Sequence, residues 1–471
     1  MSAPLLRVRE VQLFERDVRL RLPFRFGAVT LTEATEAYAR VRVTLKDGRS
    51  AWGSAAEMLA PKWFDKDPAL SNADNVAQLR LSLRLATTLY TEGRLAHTAF
   101  GLFAESHHFQ IADGRARGLN PLVAGYGPAL LDRAVLDALC SLHGMSFAEA
   151  VRANLPGIDP AHFLPEFAGF DVDAFLRSLR PAARLHVRHT VGLVDPITAA
   201  DRCRPVDDGL PETLDEVVAV YAHRYFKLKV AGDPAADVAR LTAIAAVLDR
   251  MAEPYAVTLD GNEQYPSVDA ALELWQRMEA TPALRRLVDS VLFIEQPIAR
   301  AAALIRDVGA LSARRPVIID ESDADLEAFV EARAAGYRGV SSKTCKGLYK
   351  SLLNRARCAL WNAHEGRPTF FMSGEDLTTQ AGLAVQQDLA LAGLLGLEHV
   401  EKNGHHYVDG MAGRPAAEQR RFLEAHPDLY RPGDPVRVRI ERGQVTIGSL
   451  DCAGFATAAE PEWASMREMP A

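Results

Sequence analysis

The sequence predicts an α/β chain built on a (β/α)8 barrel of TIM type, with an α+β capping domain made from the N-terminal segment and the C-terminal tail. Three observations predict it. Five hydrophobic runs between residues 225 and 343 each close on charge: Lys227 and Lys229, then Asp260, Glu295, Asp320 with Glu321 behind it, and Lys343. These strand ends recur roughly every 28 residues, the pitch of a strand-plus-helix unit in a barrel of about 250 residues. Between them, residues 237–251, 268–278, 324–334 and 348–361 carry apolar side chains at helical spacing.

The N-terminal segment reads differently. Residues 5–13, 18–22 and 37–45 alternate as strands of a meander, the last ending at the Lys46-Asp47-Gly48 turn. Two loops are expected, 23–27 with Phe24 and Phe26, and 53–67 with Glu57, Trp63 and Phe64. Loop aromatics either form a local core or touch a ligand, so Phe24, Phe26 and Trp63 are candidates for substrate contact. Helices are expected over 75–90, 95–111 and 128–142. His107 and His108 are neighbours on a helix and point about 100° apart, which suits a solvated pair rather than a metal pair.

Residues 154–181 and 195–211 are irregular and flank the first barrel strand at 186–194, on which His186 and His189, three residues apart, face opposite sides. Strands seven and eight are expected at 368–373 and 396–400, with Glu375 in the site-facing loop and Glu398 and His399 closing strand eight. Asp376 reads equally as a helix cap. In the tail, His405 and His406 are expected at the surface and residues 436–440 and 444–447 as a hairpin. The expected organisation is a cap over 1–153, a connection over 154–185, the barrel over 186–402 and a returning segment over 403–471.

Composition bounds the function. At 471 residues and 48% hydrophobic content the chain has ample material for a core. A net charge of −7 and a pI near 6.0 argue against nucleic acid or acidic membranes as partners. The N-terminus lacks a signal-peptide core, and the odd count of five cysteines without paired spacing fits reduced thiols, so a cytoplasmic enzyme is expected.

In a (β/α)8 barrel the C-terminal strand ends open on one face, so the five charged positions converge. Carboxylates without clustered Cys or His suit a hard divalent cation, and Asp260, Glu295 and Asp320 are the expected ligands. A lysine near its ordinary pKa of about 10.4 is no base, but a second ammonium and a metal nearby should depress it toward ~7–8, so Lys227 is expected to tune Lys229. Lys343 approaches from the far side.

The motifs Lys227-x-Lys229, Asp260-x-Asn262, Glu295-Gln296-Pro297, Asp320-Glu321-Ser322 and Ser342-Lys343 resemble those of the enolase superfamily, in its mandelate racemase and muconate-lactonising branch. The resemblance implies an enolase-like modified barrel, one Mg²⁺ on Asp260, Glu295 and Asp320 with Mn²⁺ as a substitute, and Lys229 and Lys343 as acid and base on opposite faces of the substrate. It also implies a small carboxylate substrate losing its α-proton through an enediolate, with Lys227 on a carboxylate oxygen and Asn262, Glu321 and Glu375 close by, and a homo-oligomer, dimer or octamer. Paired lysines favour racemisation or epimerisation; a lyase, either dehydratase or cycloisomerase, is the alternative, and an inactive enolase-like scaffold the second. The paired aspartates that grip an ammonium in dipeptide epimerases have no counterpart at Leu397-Glu398-His399, which counts against dipeptides.

Overall fold

The alternating N-terminal segment forms three antiparallel strands, β1 (Leu6–Phe26), β2 (Val29–Leu45) and β3 (Ser50–Met58). The computed structural model describes residues 3–26, 29–93 and 95–470. The strands are longer than the sequence suggested, because β1 runs on through the expected break and into the expected loop over 23–27 as far as Phe26, Gly27 lying outside the described residues. The register with β2 shifts between Arg19 and Phe24, and this irregularity accommodates Pro23, which has no N–H to give. β3 occupies the start of the second expected loop. Its small residues hid it: a Cβ on Gly53 would lie 2.1 Å from the Ala134 carbonyl of the helix behind.

Three long helices back this sheet: α1 (Asn72–Glu92), α2 (Ala99–Ala116) and α3 (Tyr126–His143). Ser71 and Asp74 form a capping box on α1, Thr98 caps α2, and Gly144 at φ 61° ends α3. Almost all of α3 is buried, including Asp132, Arg133 and Asp137. Arg133 donates to the Ala56 carbonyl and to Glu57, and Asp137 accepts from the backbone of Ser54 and Phe455, so polar residues lock sheet, helix and tail together.

Eight parallel strands then close into a barrel: β4 (Arg184–Val191), β5 (Tyr225–Lys229), β6 (Ala256–Asp260), β7 (Val291–Glu295), β8 (Val317–Ile319), β9 (Gly339–Ser342), β10 (Phe371–Gly374) and β11 (His399–Glu401). They pair in that order, and β11 pairs back onto β4. Helices over 214–221, 234–248, 268–280, 328–334, 348–365 and 383–394 connect them, with two four-residue helices, Arg300–Ala303 and Gly309–Ser312, between β7 and β8. Alternation decides what enters the barrel. On β5, Phe226 and Leu228 belong to the hydrophobic core, whereas Lys227 and Lys229 reach the carboxylates of the interior.

The irregular segments pack on their own chain. Glu166 accepts from Arg357 on the helix after β9, and the 195–211 segment holds Arg21 of β1 through Asp208 and the carbonyls of Leu210 and Pro211. The tail departs from expectation. β12 (Tyr430–Arg431) pairs with β13 (Arg437–Val438), and β14 (Gln444–Thr446) pairs antiparallel with β4 instead of forming a hairpin returning to the cap. β4 begins before its pairing with β5, which leaves Arg184–His186 with an open edge that β14 covers. The segment that reaches the cap is β15 (Arg467–Glu468), on β1.

Candidate active site

Strand register assembles the centre. Lys229, Asp260 and Glu295 are successive Cα partners across β5, β6 and β7, and Asp320 follows directly on β8. All are buried. Lys227 Nζ lies 2.9 Å from Asp260 Oδ2, 2.8 Å from Glu295 Oε2, 2.6 Å from Glu375 Oε2 and 3.0 Å from Glu401 Oε2. Lys229 Nζ donates to Asp260 Oδ2 at 2.5 Å and to Asn262 Oδ1 at 2.7 Å. Across the barrel, on the turn after β9, Lys343 Nζ donates to Asp320 Oδ2 at 2.6 Å and sits 4.2 Å from the centroid of the Trp63 ring. Cap and barrel thus share the lysine, which Trp63 steadies through its π face.

The electrostatics follow from the pairing. Burial alone would lower Lys227, but Asp260, Glu295, Glu375 and Glu401 outweigh it and hold its pKa well above the ordinary lysine range. Lys343 is likewise raised against its burial by Asp320. Burial would raise Asp320, yet Lys343 and Lys346 hold it below the ordinary aspartate range. Glu295 goes the other way: burial first, then Asp260 and Glu375, push it well up. Four carboxylates surround Lys227, and Asp260 Oδ2 touches both ammonium groups.

An ammonium has three protons, and four carboxylates surround this one. Glu295 Oε2 accepts no hydrogen bond although Lys227 Nζ is 2.8 Å away. Buried and oxygen-only, with Glu295 Oε2 left without a donor, the set of Asp260, Glu295 and Asp320 fits a hard divalent cation.

The other expected residues are nearby. Glu321 Oε1 accepts from Asn262 Nδ2 and from Lys66 Nζ, each at 3.1 Å, and Lys66 comes from the cap loop after β3. Glu375 pairs with Arg188 of β4 as well as with Lys227. A cleft opens among Lys227, Lys229, Lys343, Asn262, Phe24 and Trp63. Phe24 is buried there, its ring centroid 4.3 Å from that of Tyr407. Phe26 ends β1, and its side chain lies outside the described residues.

Sequence reasoning missed Glu401, Arg188 and Lys346. Strand eight ends on Glu401 rather than on Glu398 and His399, and Glu398 instead accepts from Tyr225 on the outside of the barrel. The signal was present in Val400-Glu401, an apolar residue closed by an acid as on the other strands, but the short β11 offers little pattern to set its register. Lys346 reaches Ser341 Oγ at 2.7 Å and Asp323 Oδ2 at 3.0 Å from behind Asp320. His405 and His406, expected at the surface, are half-buried and buried respectively.

A magnesium complex of an enolase superfamily member from Roseovarius nubinhibens ISM matches over 99% of this chain and 99% of its own, at 18% identity and a TM-score of 0.57. The fold is that of the enolase superfamily. Muconate lactonizing enzyme from Pseudomonas fluorescens, complexed with muconolactone, matches over 98% of this chain and 99% of its own, at 18% identity and a TM-score of 0.58. The 2-chloromuconate cycloisomerase from Rhodococcus opacus 1CP covers 96% of each chain at 17% identity and a TM-score of 0.57. No family model and no curated protein matches the sequence. The structural likeness spans the cap as well as the barrel, so the enolase-like architecture holds for the whole chain. Among the described residues, no helix is long and apolar enough to cross a membrane.

Proposed function

We propose that this chain is a metal-dependent enzyme that removes the proton α to a substrate carboxylate and returns a proton to the same carbon, a racemase or epimerase. The observation that carries the reading is the placement of Lys229 and Lys343. β5 and β9 stand four positions apart in the ring of eight, and both ammonium groups face the cleft that Trp63 and Phe24 cover.

Asp260, Glu295 and Asp320 would hold Mg²⁺, whose charge stabilises the carboxylate of a substrate as its α-proton leaves; the solved Roseovarius relative was complexed with magnesium. Lys229, oriented by Asp260 and Asn262, takes the proton on one face. Lys343, oriented by Asp320 and Trp63, delivers a proton on the other. Lys227 stays an ammonium throughout and supplies fixed positive charge where the enediolate develops negative charge. The cap loop excludes water: Lys66 donates to the Asn262 carbonyl at 2.9 Å, and Arg300 of the barrel holds the carbonyls of Trp63 and Phe64 at 2.9 Å each.

Lyase chemistry is the second reading, favoured by the structural likeness to muconate lactonizing enzyme and chloromuconate cycloisomerase. It needs one lysine to move a proton and the other only to stabilise charge. Enantiopure acids incubated in D₂O separate the two. Racemase chemistry yields the mirror-image or epimeric acid with deuterium at Cα, and lyase chemistry yields an olefinic, keto or lactone product. The cytoplasm and a homo-oligomeric assembly remain our expectation for its setting.

A further inference from the structure

A second group of potential metal ligands lies outside the barrel. Arg188 and Thr190 of β4 point inward to Glu375 and Glu401, so His189 between them points outward. There it meets His223, from the turn before β5, and His405, from the segment after β11. One ligand atom from each of the three rings lies within 4.8 Å of the others. His189 Nδ1 and His405 Nε2 are 3.3 Å apart. That is long for a hydrogen bond, but two zinc–nitrogen bonds of about 2.05 Å at the tetrahedral angle place their nitrogens ~3.3 Å apart.

The polar balance points the same way. The ring nitrogens of His223 and Nδ1 of His405 meet no partner at full hydrogen-bond geometry, only the looser approach of the Val187 and Lys402 carbonyls. His189 and His223 are fully buried, and an unsatisfied buried polar group costs about 1–3 kcal/mol. Burial first, and the neighbouring histidines second, hold His189 well below the ordinary imidazole range; burial holds His405 down to about 3. The rings are therefore neutral at physiological pH, the form that binds metal. The carbonyls of Val187 and Lys402 stand beside the His223 and His405 rings, where the far N–H of a coordinated imidazole ordinarily donates. A cleft lined by Tyr221, Lys402 and His405 reaches the His405 edge of the group.

We propose that His189, His223 and His405 form a binding site for one borderline divalent transition-metal ion of the Zn²⁺ class, separate from the carboxylate centre. No carboxylate belongs to the group, so Mg²⁺ is not its ion. Such an ion clamps the first barrel strand, the entry to β5 and the tail segment. The same tail segment holds the cap, since the His406 carbonyl accepts from Arg21 at 3.1 Å and Val408 bridges to Leu20. The site stands independently of the reaction proposed above.

The test uses tag-free full-length protein, stripped with chelator and titrated with Zn²⁺ and with Co²⁺ in the presence of millimolar Mg²⁺. The wild type is expected to bind one Zn²⁺ per chain with a Kd of ~1 µM or tighter, to give the visible absorption of low-coordinate Co²⁺, and to melt at a higher temperature when loaded. His223→Ala and the half-buried His405→Ala, each checked for an unchanged circular dichroism spectrum, weaken Zn²⁺ binding by ~100-fold or more, while Asp320→Asn leaves it unchanged. Absence of saturable Zn²⁺ binding in the wild type, or binding retained in both histidine variants, overturns the proposal and leaves a packed cluster of neutral rings.

Discussion

Two buried polar clusters sit on either side of β4 and are built on opposite principles. Inside the barrel, Lys227, Lys229 and Lys343 face Asp260, Glu295, Asp320, Glu375 and Glu401, and each of these carboxylates has an oxygen within 3.0 Å of an ammonium. Outside it, His189, His223 and His405 carry no charge and leave ring nitrogens without partners at full hydrogen-bond geometry. The first cluster is stable in charge but holds more carboxylates around Lys227 than one ammonium can serve. The second is neutral and leaves ring nitrogens with at most a loose carbonyl contact. Each deficit defines a different cation: a hard one among carboxylates, a borderline one among imidazoles.

The largest expected effects break the inner cluster's chemistry. Lys229→Ala and Lys343→Ala should each lower α-proton exchange by about 10²–10⁴-fold, the range of general acid–base catalysis, with far-UV circular dichroism unchanged. The residual exchange, followed by NMR, should be confined to one enantiomer, opposite for the two variants. Next, chelation should remove exchange altogether and added Mg²⁺ should restore it. Recovery with NaCl at the same ionic strength would mean that general screening, not a bound cation, is what the carboxylates need.

Glu295→Gln sharpens the contrast between function and stability. Its carboxyl is pushed up by burial and by Asp260 and Glu375, so neutralising it relieves repulsion in the metal-free protein. The variant should lose Mg²⁺ binding by calorimetry and yet resist urea better than the wild type by about 1 kcal/mol.

The last effect concerns a buried acid that belongs to neither cluster. Among the described residues no cation lies beside Asp132 on α3; it accepts from the Tyr90 hydroxyl at 2.7 Å, and burial raises its pKa to about 8. The folded state then holds a proton that the unfolded chain releases near pH 4, so this residue's contribution to stability falls as pH rises from about 4 to 8. Asp132→Asn should flatten that fall, whose slope for one proton is at most about 1.4 kcal/mol per pH unit. Urea unfolding of both proteins at pH 5, 6.5 and 8 measures it. Parallel curves would mean that Asp132 is ionised in the folded protein.

The same contrast explains what the sequence disclosed. Strand-end charges are local signals: Lys229, Asp260, Glu295, Asp320 and Lys343 each close an apolar run, and a regular pitch brings them to one rim, so barrel and inner cluster were legible together. The histidine group is non-local. His189 looks like a strand residue, His223 like a turn residue and His405 like surface, and only closure of β11 onto β4 joins them. Glu401 was misplaced because β11 is three residues long and sets no period of its own. β3 was read partly as loop because its packing against α3 requires Gly53 and alanines rather than β-branched residues. The tail escaped because β14 answers the open start of β4, a vacancy that tertiary structure alone creates.

The most direct measurement is proton NMR in D₂O with Mg²⁺, following the α-proton signals of N-acyl amino acids, sugar acids and aromatic α-substituted carboxylates. It compares the wild type, the two single lysine variants and the Lys229→Ala/Lys343→Ala double variant. The account predicts deuterium entering at Cα with inversion in the wild type, one-sided exchange in the single variants and none in the double variant. Exchange that survives in the double variant, or its absence from every acid with Mg²⁺ bound to the wild type, would contradict the assignment of Lys229 and Lys343 as the pair that moves the proton.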